Sequence, residues 1–324
     1  MSVPFRFLCL LSLAVGALHC TPVSDQEGEL SEPHYTDCPP GWSSYNNRCF
    51  RYVASQLDWA DAESYCVTLG VNLASVNNKE EFSFVKNLIK SFDPAESYTW
   101  IGLTDLHKEG RWMWSDGSKV VYTSWFSGEP NGSRKENCVH TNYQKDKLWN
   151  DITCSYKHAF VCATHQTFLT GQVNIKTGQE GELSEPHYSD CPPGWSSYNN
   201  RCFRYVASQL DWADAESFCV TQGANLASVN TMGEFSFVKN LIKSFDPAEH
   251  HTWIGLSDLH KEGRWMWSDG SKVVYTSWSS GEPSNGVGSD PENCVHTNYQ
   301  DDKLWNDTHC SYKFAFVCAT RPGL

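Results

Sequence analysis

Three short clusters of carboxylate and amide side chains mark the part of the chain that could do chemistry. They are Glu129-Pro130-Asn131, Glu136-Asn137 and Trp149-Asn150-Asp151. Carboxylate and amide oxygens are the ligands that a hard cation prefers, and Ca²⁺ takes about 6–8 of them. The same residue types populate ordinary turns, so one cluster alone would indicate only a turn. Three clusters in order, two of them beside cysteines, favour a calcium site.

A disulfide could hold these clusters together. Cys138 directly follows the second cluster, and Cys154 lies a few positions after the third. If these two cysteines pair, the oxygen-bearing side chains of the three clusters are fixed close to one bridge. The elements that position such a site must therefore belong to a cysteine-rich, extracellular type of domain.

The chain contains the same unit twice. The segment that begins at Cys38 recurs from Cys191, an offset of 153 residues that grows to 156 near the end of the repeat. A repeat of this size is a duplicated domain and not a solenoid, and a length of 324 residues suits about two domains. The predicted boundaries are 38–163 for the first domain, 164–190 for a polar linker and 191–319 for the second domain.

The second copy keeps its carboxylates but departs at the proline cluster. Its triplet is Glu282-Pro283-Ser284, with Asn285 one place later and a loop that is three residues longer. The hydroxyl of Ser284 reaches less far than an amide, and Asn285 could replace it only if the loop bulges. We therefore expect altered or weaker ligand binding in the second copy.

Composition limits the classes of function. A net charge of −13 argues against nucleic acid or an anionic membrane as partner, because phosphate binding needs a basic face. Fourteen cysteines are too many for a reduced cytosolic protein. Six fall in each copy without C-x-x-C pairs, so disulfides are expected and not zinc. Six cysteines allow 15 connectivities, and the spacing does not choose among them.

The N-terminus predicts a secretory signal peptide at residues 1–20. Arg6 precedes an apolar run from Phe7 to Leu18, which is the pattern of such a peptide. The run is shorter than the roughly 20 residues of a membrane span, so a retained signal anchor is the less favoured alternative. Cys9 lies within this segment and Cys20 at its edge. We expect a secreted, extracellular protein without membrane insertion.

The pattern of apolar residues predicts two helices followed by strands. Leu57–Leu69 has apolar residues at helical spacing, and Asn77 and Asn78 can cap a second helix. After about residue 98 the sequence changes to short strands and turns, beginning with Trp100-Ile-Gly-Leu. Each copy is therefore predicted to be an α+β domain.

With these features each copy resembles a C-type lectin-like domain of the long form, which has an extra N-terminal disulfide. The motifs that carry the resemblance are Cys38–Cys49, Trp100–Leu103, Trp125–Asn131 and Trp149–Cys154. The two-domain layout is similar to secreted lectins of fish and invertebrates. The implied disulfides are Cys38–Cys49, Cys66–Cys162, Cys138–Cys154, Cys191–Cys202, Cys219–Cys318 and Cys294–Cys310.

The resemblance also implies a Ca²⁺ ion that binds two vicinal sugar hydroxyls, and Glu-Pro-Asn implies mannose-type ligands. Carboxylates accept hydrogen bonds from those hydroxyls, whereas amides donate to them. The implied sugar and calcium ligands of the first copy are Glu129, Asn131, Glu136, Asn150 and Asp151, with Pro130 in the cis form. Those of the second copy are Glu282, Glu292, Asn306 and Asp307, with Ser284 and Asn285 as sugar contacts only. An auxiliary calcium position is implied at Asp105 and Glu109, and again at Asp258 and Glu262.

Two of the implied ligands lie in glycosylation sequons. Asn131-Gly-Ser and Asn306-Asp-Thr both match the acceptor pattern. An attached glycan would remove the coordinating amide, so we expect these sites to stay unmodified in a functional lectin.

The sequence predicts a non-enzymatic lectin that binds mannose, fucose or N-acetylglucosamine on microbial or host glycans, in a setting of innate immunity. The alternative is a lectin-like domain that binds a protein partner or ice. His107, His140, His250 and His251 are interpreted as surface or packing residues, because no nucleophile accompanies them. Neither heptads nor collagen-like repeats are present, so the oligomeric state stays open.

Overall fold

The computed structural model describes residues 7–11, 18–22, 38–132, 135–164, 191–286 and 291–320. Residues 1–37 form a unit of their own, in which strands β1 (Phe7–Leu11) and β2 (Leu18–Pro22) pair antiparallel. Most of the predicted signal peptide and nearly all of the predicted linker lie outside the described residues. No described helix is long and apolar enough to cross a membrane.

The first copy, residues 38–164, contains two helices and eight strands. In chain order they are β3 (Ser43–Tyr45), β4 (Arg48–Leu57), α1 (Trp59–Thr68), β5 (Asn72–Leu73), α2 (Lys79–Phe92), β6 (Thr99–Thr104), β7 (Met113–Trp114), β8 (Cys138–Tyr143), β9 (Leu148–Ile152) and β10 (His158–Ala163). The strands form one sheet in the order β3-β4-β10-β6-β8-β9, with β5 on β10 and β7 on β6. Among the described strands of this copy, β10 and β6 are the one parallel pair.

The second copy, residues 191–320, repeats this arrangement. Its elements are β11 (Ser196–Tyr198), β12 (Arg201–Leu210), α3 (Trp212–Thr221), β13 (Asn225–Leu226), α4 (Met232–Phe245), β14 (Thr252–Ser257), β15 (Met266–Trp267), β16 (Cys294–Tyr299), β17 (Leu304–Thr308) and β18 (Phe314–Ala319). The sheet order, β11-β12-β18-β14-β16-β17, is that of the first copy. The α+β class and the duplication expected from the sequence are confirmed.

Helix boundaries follow from capping side chains. The helix predicted over Leu57–Leu69 begins at Trp59, because Leu57 still pairs with β10 and the Asp58 carboxylate accepts a hydrogen bond from the Asp61 N–H. The side chain of Asn78 caps α2 in the same way. Such a cap satisfies one of the otherwise unpaired N–H groups of the first turn.

A buried ion pair ties the sheet to the start of α2. The Arg48 guanidinium lies 2.6 Å from the Glu81 carboxylate, and both side chains are almost fully buried. Arg48 also donates to the carbonyls of Ser75 and Thr164. Because the end of β10 leads into Thr164, this one side chain joins three segments around the core.

Six disulfides link the cysteines of residues 38–320, three within each copy. They are Cys38–Cys49, Cys66–Cys162, Cys138–Cys154, Cys191–Cys202, Cys219–Cys318 and Cys294–Cys310. These are the pairings that the resemblance implied. The Cys138–Cys154 bridge joins β8 to the loop after β9, where the oxygen-bearing clusters lie.

Candidate functional site

The loop between β7 and β8 carries the first cluster onto the end of β9. The Trp149 N–H donates to the Ser124 carbonyl, and the Phe126 N–H donates to the Trp149 carbonyl, each at 2.9 Å. The Glu129 N–H then donates to the Phe126 carbonyl at 2.9 Å, and the peptide between Glu129 and Pro130 is cis. The cis bond implied for Pro130 is present, and it turns the chain sharply at the cluster.

The five predicted ligands of the first copy come together around the end of β9. Asn150 and Asp151 lie on this strand with exposed fractions of 8% and 1%. Glu136 precedes β8, the antiparallel neighbour of β9. Glu129 is near enough to interact electrostatically with both Asp151 and Glu136, and the backbone N–H of Asn131 donates to the Asp151 carboxylate. The structure therefore joins residues that the sequence separates by some twenty positions.

Burial and mutual repulsion raise the pKa of two carboxylates in this cluster. Burial, followed by the negative charge of Asp151, raises the pKa of Glu129. Burial also raises the pKa of Asp151, and the charge of Glu136 adds to this effect. Among the described residues, Oε2 of Glu129 and Oδ1 of Asp151 are buried without a hydrogen-bond partner. Unpaired buried carboxylate oxygens are costly, and a cation between them would remove that cost.

A buried histidine holds Asn150. The Nδ1–H of His140 donates to the Thr141 carbonyl, which leaves Nε2 to accept from the Asn150 amide at 3.3 Å. Burial lowers the pKa of His140 to about 4, so the ring is neutral and keeps this acceptor. The Asn150 amide also donates to the Asp151 carbonyl at 2.8 Å. The packing role assigned to His140 from the sequence thus includes a contact with a predicted ligand.

The corresponding carboxylate of the second copy is already paired. The backbone N–H groups of Ser284 and Asn285 donate to the two oxygens of Asp307 at 3.0 and 2.8 Å. The Ser284 hydroxyl donates to Glu292 at 3.2 Å. The peptide before Pro283 is cis, as in the first copy, and Oε2 of Glu282 is buried without a hydrogen-bond partner. Donors of the protein itself therefore satisfy both carboxylate oxygens of Asp307.

Each auxiliary position is centred on one buried aspartate. Asp105 accepts from the Asn137 amide at 3.0 Å and from the Gly110 N–H at 2.7 Å. Burial raises the pKa of Asp105 to about 6, and Glu109 adds to the effect. In the second copy, Asn293 and Gly263 donate in the same way to Asp258, next to Glu262. Both oxygens of each aspartate thus accept from the protein.

The two sequon asparagines differ in exposure. Asn131 is exposed beside Gly132, whereas only 8% of Asn306 is exposed and its amide donates to the Asp307 carbonyl. Ser133, which completes the first sequon, lies outside the described residues. Steric access in the folded chain is therefore better at Asn131.

The candidate site contains both carboxylate and amide side chains. Among the described residues, no three carboxylate, imidazole or thiolate side chains group closely enough to hold a metal ion by themselves. The cluster at β9 combines carboxylates with amide oxygens, which is the chemistry of a calcium site and not of a transition-metal site.

Comparisons with known proteins point to one family. The model of the Lectin C-type domain matches residues 55–164 and 208–320. C-type mannose receptor 2 of Homo sapiens is 29% identical over 291 residues, 87% of this chain and 18% of that receptor. The galactose-specific lectin nattectin of Thalassophryne nattereri is 41% identical over 131 residues, 40% of this chain and 80% of that lectin. The chain therefore spans less than a fifth of the mannose receptor's length.

Two solved structures with similar sequences each cover less than half of this chain. The herring type II antifreeze protein is 38% identical and covers 40% of this chain and 99% of its own, with a TM-score of 0.38. Human lithostathine is 36% identical and covers 44% of this chain and 99% of its own, with a TM-score of 0.39.

Proposed function

Since the chain belongs to the Lectin C-type domain family through both copies, we propose that it is a secreted, calcium-dependent lectin without enzymatic activity. Its first copy binds sugars of the mannose, fucose or N-acetylglucosamine type. Its partners are glycans on microbial or host surfaces, and its setting is innate immunity. A single shallow site binds sugar with low affinity. Two linked copies bind a surface with many glycans more tightly, because the second binding event occurs at a high effective concentration.

One observation carries the proposal for the first copy. Glu129 and Asp151 each keep a buried carboxylate oxygen that no described protein donor satisfies. The residues present therefore fit a calcium ion, which Glu129, Asn131, Glu136, Asn150 and Asp151 would hold. When bound, the ion supplies coordination to two vicinal hydroxyls of one sugar ring.

In this proposal the side chains of the first copy orient the sugar through hydrogen bonds. The Glu129 and Glu136 carboxylates accept from the sugar hydroxyls, and the Asn131 and Asn150 amides donate to them. Both N–H groups of Asn150 are engaged in the present arrangement, with the Asp151 carbonyl and with the ring of a buried histidine. Donation to a sugar therefore requires this amide to rotate about its terminal torsion.

The second copy is proposed to bind calcium and sugar more weakly. Its Asp307 carboxylate accepts two backbone N–H groups from the altered loop, so an ion must displace them or bind with fewer ligands. Ser284 and Asn285 take the place of a single amide, which removes the donor arrangement expected for mannose. The auxiliary positions at Asp105 and Asp258 are proposed as secondary sites, because each has a second carboxylate nearby.

A matched pair of variants tests the assignment. Asp151→Asn removes the first copy's carboxylate whose Oδ1 is buried without a hydrogen-bond partner, and Asp307→Asn makes the same change in the second copy. Calcium titration calorimetry and retention on mannan, each with and without a chelator, are the measurements. We expect Asp151→Asn to abolish most calcium binding and mannan retention, and Asp307→Asn to change either little. Retention on mannan that survives both the chelator and Asp151→Asn would contradict the proposal.

Competition with free sugars tests the specificity separately. Mannose should elute the protein from mannan, and galactose should not. Elution by galactose alone would refute the mannose preference while leaving calcium-dependent sugar binding intact. Asn131→Asp should weaken mannose binding because it replaces a donor with an acceptor. Peptide mapping that finds most of Asn131 glycosylated would also contradict a sugar site in the first copy.

A further inference from the structure

The two copies contact each other through ion pairs that occur twice. Lys108 of the first copy lies 3.0 Å from Asp211 and 2.8 Å from Asp214 at the start of α3. In return, Lys261 of the second copy lies 3.1 and 2.8 Å from the corresponding carboxylates at the start of α1, those of Asp58 and Asp61. Each lysine thus bridges two aspartates of the other copy.

Apolar and aromatic contacts follow the same reciprocal pattern. His107 stacks on Trp212 with 4.5 Å between ring centroids, and His260 stacks on Trp59 with 4.7 Å. The two histidine rings meet each other at 5.1 Å. Met113 packs against the apolar cluster around Trp212, and Met266 of the second copy packs against the cluster around Trp59. Each copy therefore packs one methionine against the apolar cluster of the other.

The backbones also approach closely. The Asn72 amide donates to the Gly270 carbonyl, and the Asn225 amide donates to the Gly117 carbonyl, each at 3.0 Å. A Cβ atom on Gly117 would lie 2.7 Å from the Cα of Asp269. This turn therefore fits against the other copy only as glycine.

The residues that make these contacts are the same in both copies. The pairs, each related by an offset of 153, are Asp58 and Asp211, Trp59 and Trp212, Asp61 and Asp214, Asn72 and Asn225, His107 and His260, Lys108 and Lys261, Met113 and Met266, and Gly117 and Gly270. An interface in which residue i contacts j while the counterpart of j contacts the counterpart of i is the isologous arrangement of a two-fold dimer. The surface of either copy is therefore complementary to itself. We call it the pairing face.

We propose that the pairing face binds a second copy of this chain as well as its own tandem partner, so that two chains can exchange domains and present four lectin domains. The 26 residues between the described copies, 165–190, could span about 90 Å when extended. That length does not restrict pairing to one chain. Pairing within a chain dominates in dilute solution because the linked copy has a high effective concentration, and exchange takes over as the chain concentration rises. The proposal does not depend on calcium or sugar binding.

Each copy is equipped to fold alone, which allows a direct test. Each has its own eight-stranded sheet, its own apolar core and three internal disulfides, and among the described residues no disulfide or strand pairing joins one copy to the other. Either copy produced alone should sediment as a dimer at tens of micromolar. A monomer at every concentration, with native disulfides and circular dichroism, would overturn the self-complementarity.

Two pairs of variants of the first copy link the dimer to this face. Lys108→Glu places a carboxylate opposite two aspartates and should weaken dimerisation at least tenfold, whereas Lys145→Glu, an exposed position outside the face, should not. Gly117→Ala should weaken it as well. Gly110→Ala is the matched control, because Gly110 has nearly the same φ, +74° against +73°, with nothing near its Cβ. Equal effects within either pair would place the dimer contact elsewhere.

Exchange of domains between chains can be tested with the full chain. Two preparations with different fluorophores, mixed at high concentration and then diluted, should show energy transfer that grows with the concentration of mixing. The double variant Lys108→Glu, Lys261→Glu should show none. Absence of transfer in the unaltered chain at all concentrations would overturn exchange between chains.

Discussion

A buried glutamate should make the stability of each copy depend on pH in an unusual direction. Glu63 on α1 is 2% exposed and accepts hydrogen bonds from the Asn72 amide, the Leu73 N–H and the Ser115 hydroxyl, at 2.6–2.9 Å. These three donors favour the charged form, but burial outweighs them and raises the pKa of Glu63 to about 7, from an ordinary value of 4.5. Glu216 in the second copy accepts from the corresponding donors, Asn225, the Leu226 N–H and Ser268, and its pKa is likewise raised to about 7.

Proton linkage determines whether the unfolding free energy rises or falls with pH. Because the folded pKa is above the unfolded one, the folded state binds the proton more tightly. The stabilisation is complete below pH 4.5 and is lost as the pH rises through 7. The difference corresponds to about 3 kcal/mol per glutamate, most of it lost between about pH 5 and 8. A carboxylate that formed an ion pair would show the opposite trend.

Urea unfolding of the full chain measures this effect, with a chelator present and the disulfides intact. The double variant Glu63→Gln, Glu216→Gln changes both copies alike and cannot titrate at these positions. The unfolding free energy of the unaltered chain, minus that of the variant, should fall by about 2–3 kcal/mol per copy from pH 5 to 8. Hydrogen bonds altered by glutamine add only a constant offset. The exposed Glu80→Gln serves as control, and a difference independent of pH would refute the reasoning.

Three further predictions concern the core and the site. Arg48→Met should destabilise the first copy by about 3–5 kcal/mol, because it leaves the Glu81 carboxylate buried without its partner; urea unfolding no different from the unaltered chain would contradict this. Calcium affinity should fall as the pH drops from 7 to 5, because the raised pKa values of Glu129 and Asp151 let protons compete with the ion; calorimetry at each pH checks it. Gly102→Ala should lower the free energy of unfolding by about 1–3 kcal/mol in urea unfolding, because its Cβ would lie 2.7 Å from a backbone oxygen of β5.

Much of the fold could be predicted because the repeat and the cysteine positions can be recognised from the sequence directly. Apolar spacing located α1 and α2, and the caps at Asp58 and Asn78 explain where each begins. The order of the strands could not be read in this way. The parallel pairing of β10 with β6 joins segments more than fifty residues apart, and no local pattern specifies it. The family resemblance supplied what periodicity could not.

The contact between the copies could not be foreseen at all. His107 looked like a surface or packing residue, and Met113 looked like part of a short strand. Each becomes informative only when its counterpart at an offset of 153 makes the reciprocal contact with the other copy. A duplicated sequence has such symmetry available, but whether the two units use it depends on the shape of both surfaces.

In the candidate site, too, single hydrogen bonds could not be predicted from the sequence. The sequence predicted the carboxylates of both copies as ligands and questioned the second copy because Ser284 replaces an asparagine. The structure gives a different physical reason for the divergence. The backbone N–H groups of Ser284 and Asn285 donate to both oxygens of Asp307, whereas Oδ1 of Asp151 is buried without a hydrogen-bond partner. Backbone donors do not depend on side-chain type, so restoring asparagine at 284 alone should not restore calcium affinity. The loop that delivers those N–H groups would have to be shortened to the length of the first copy.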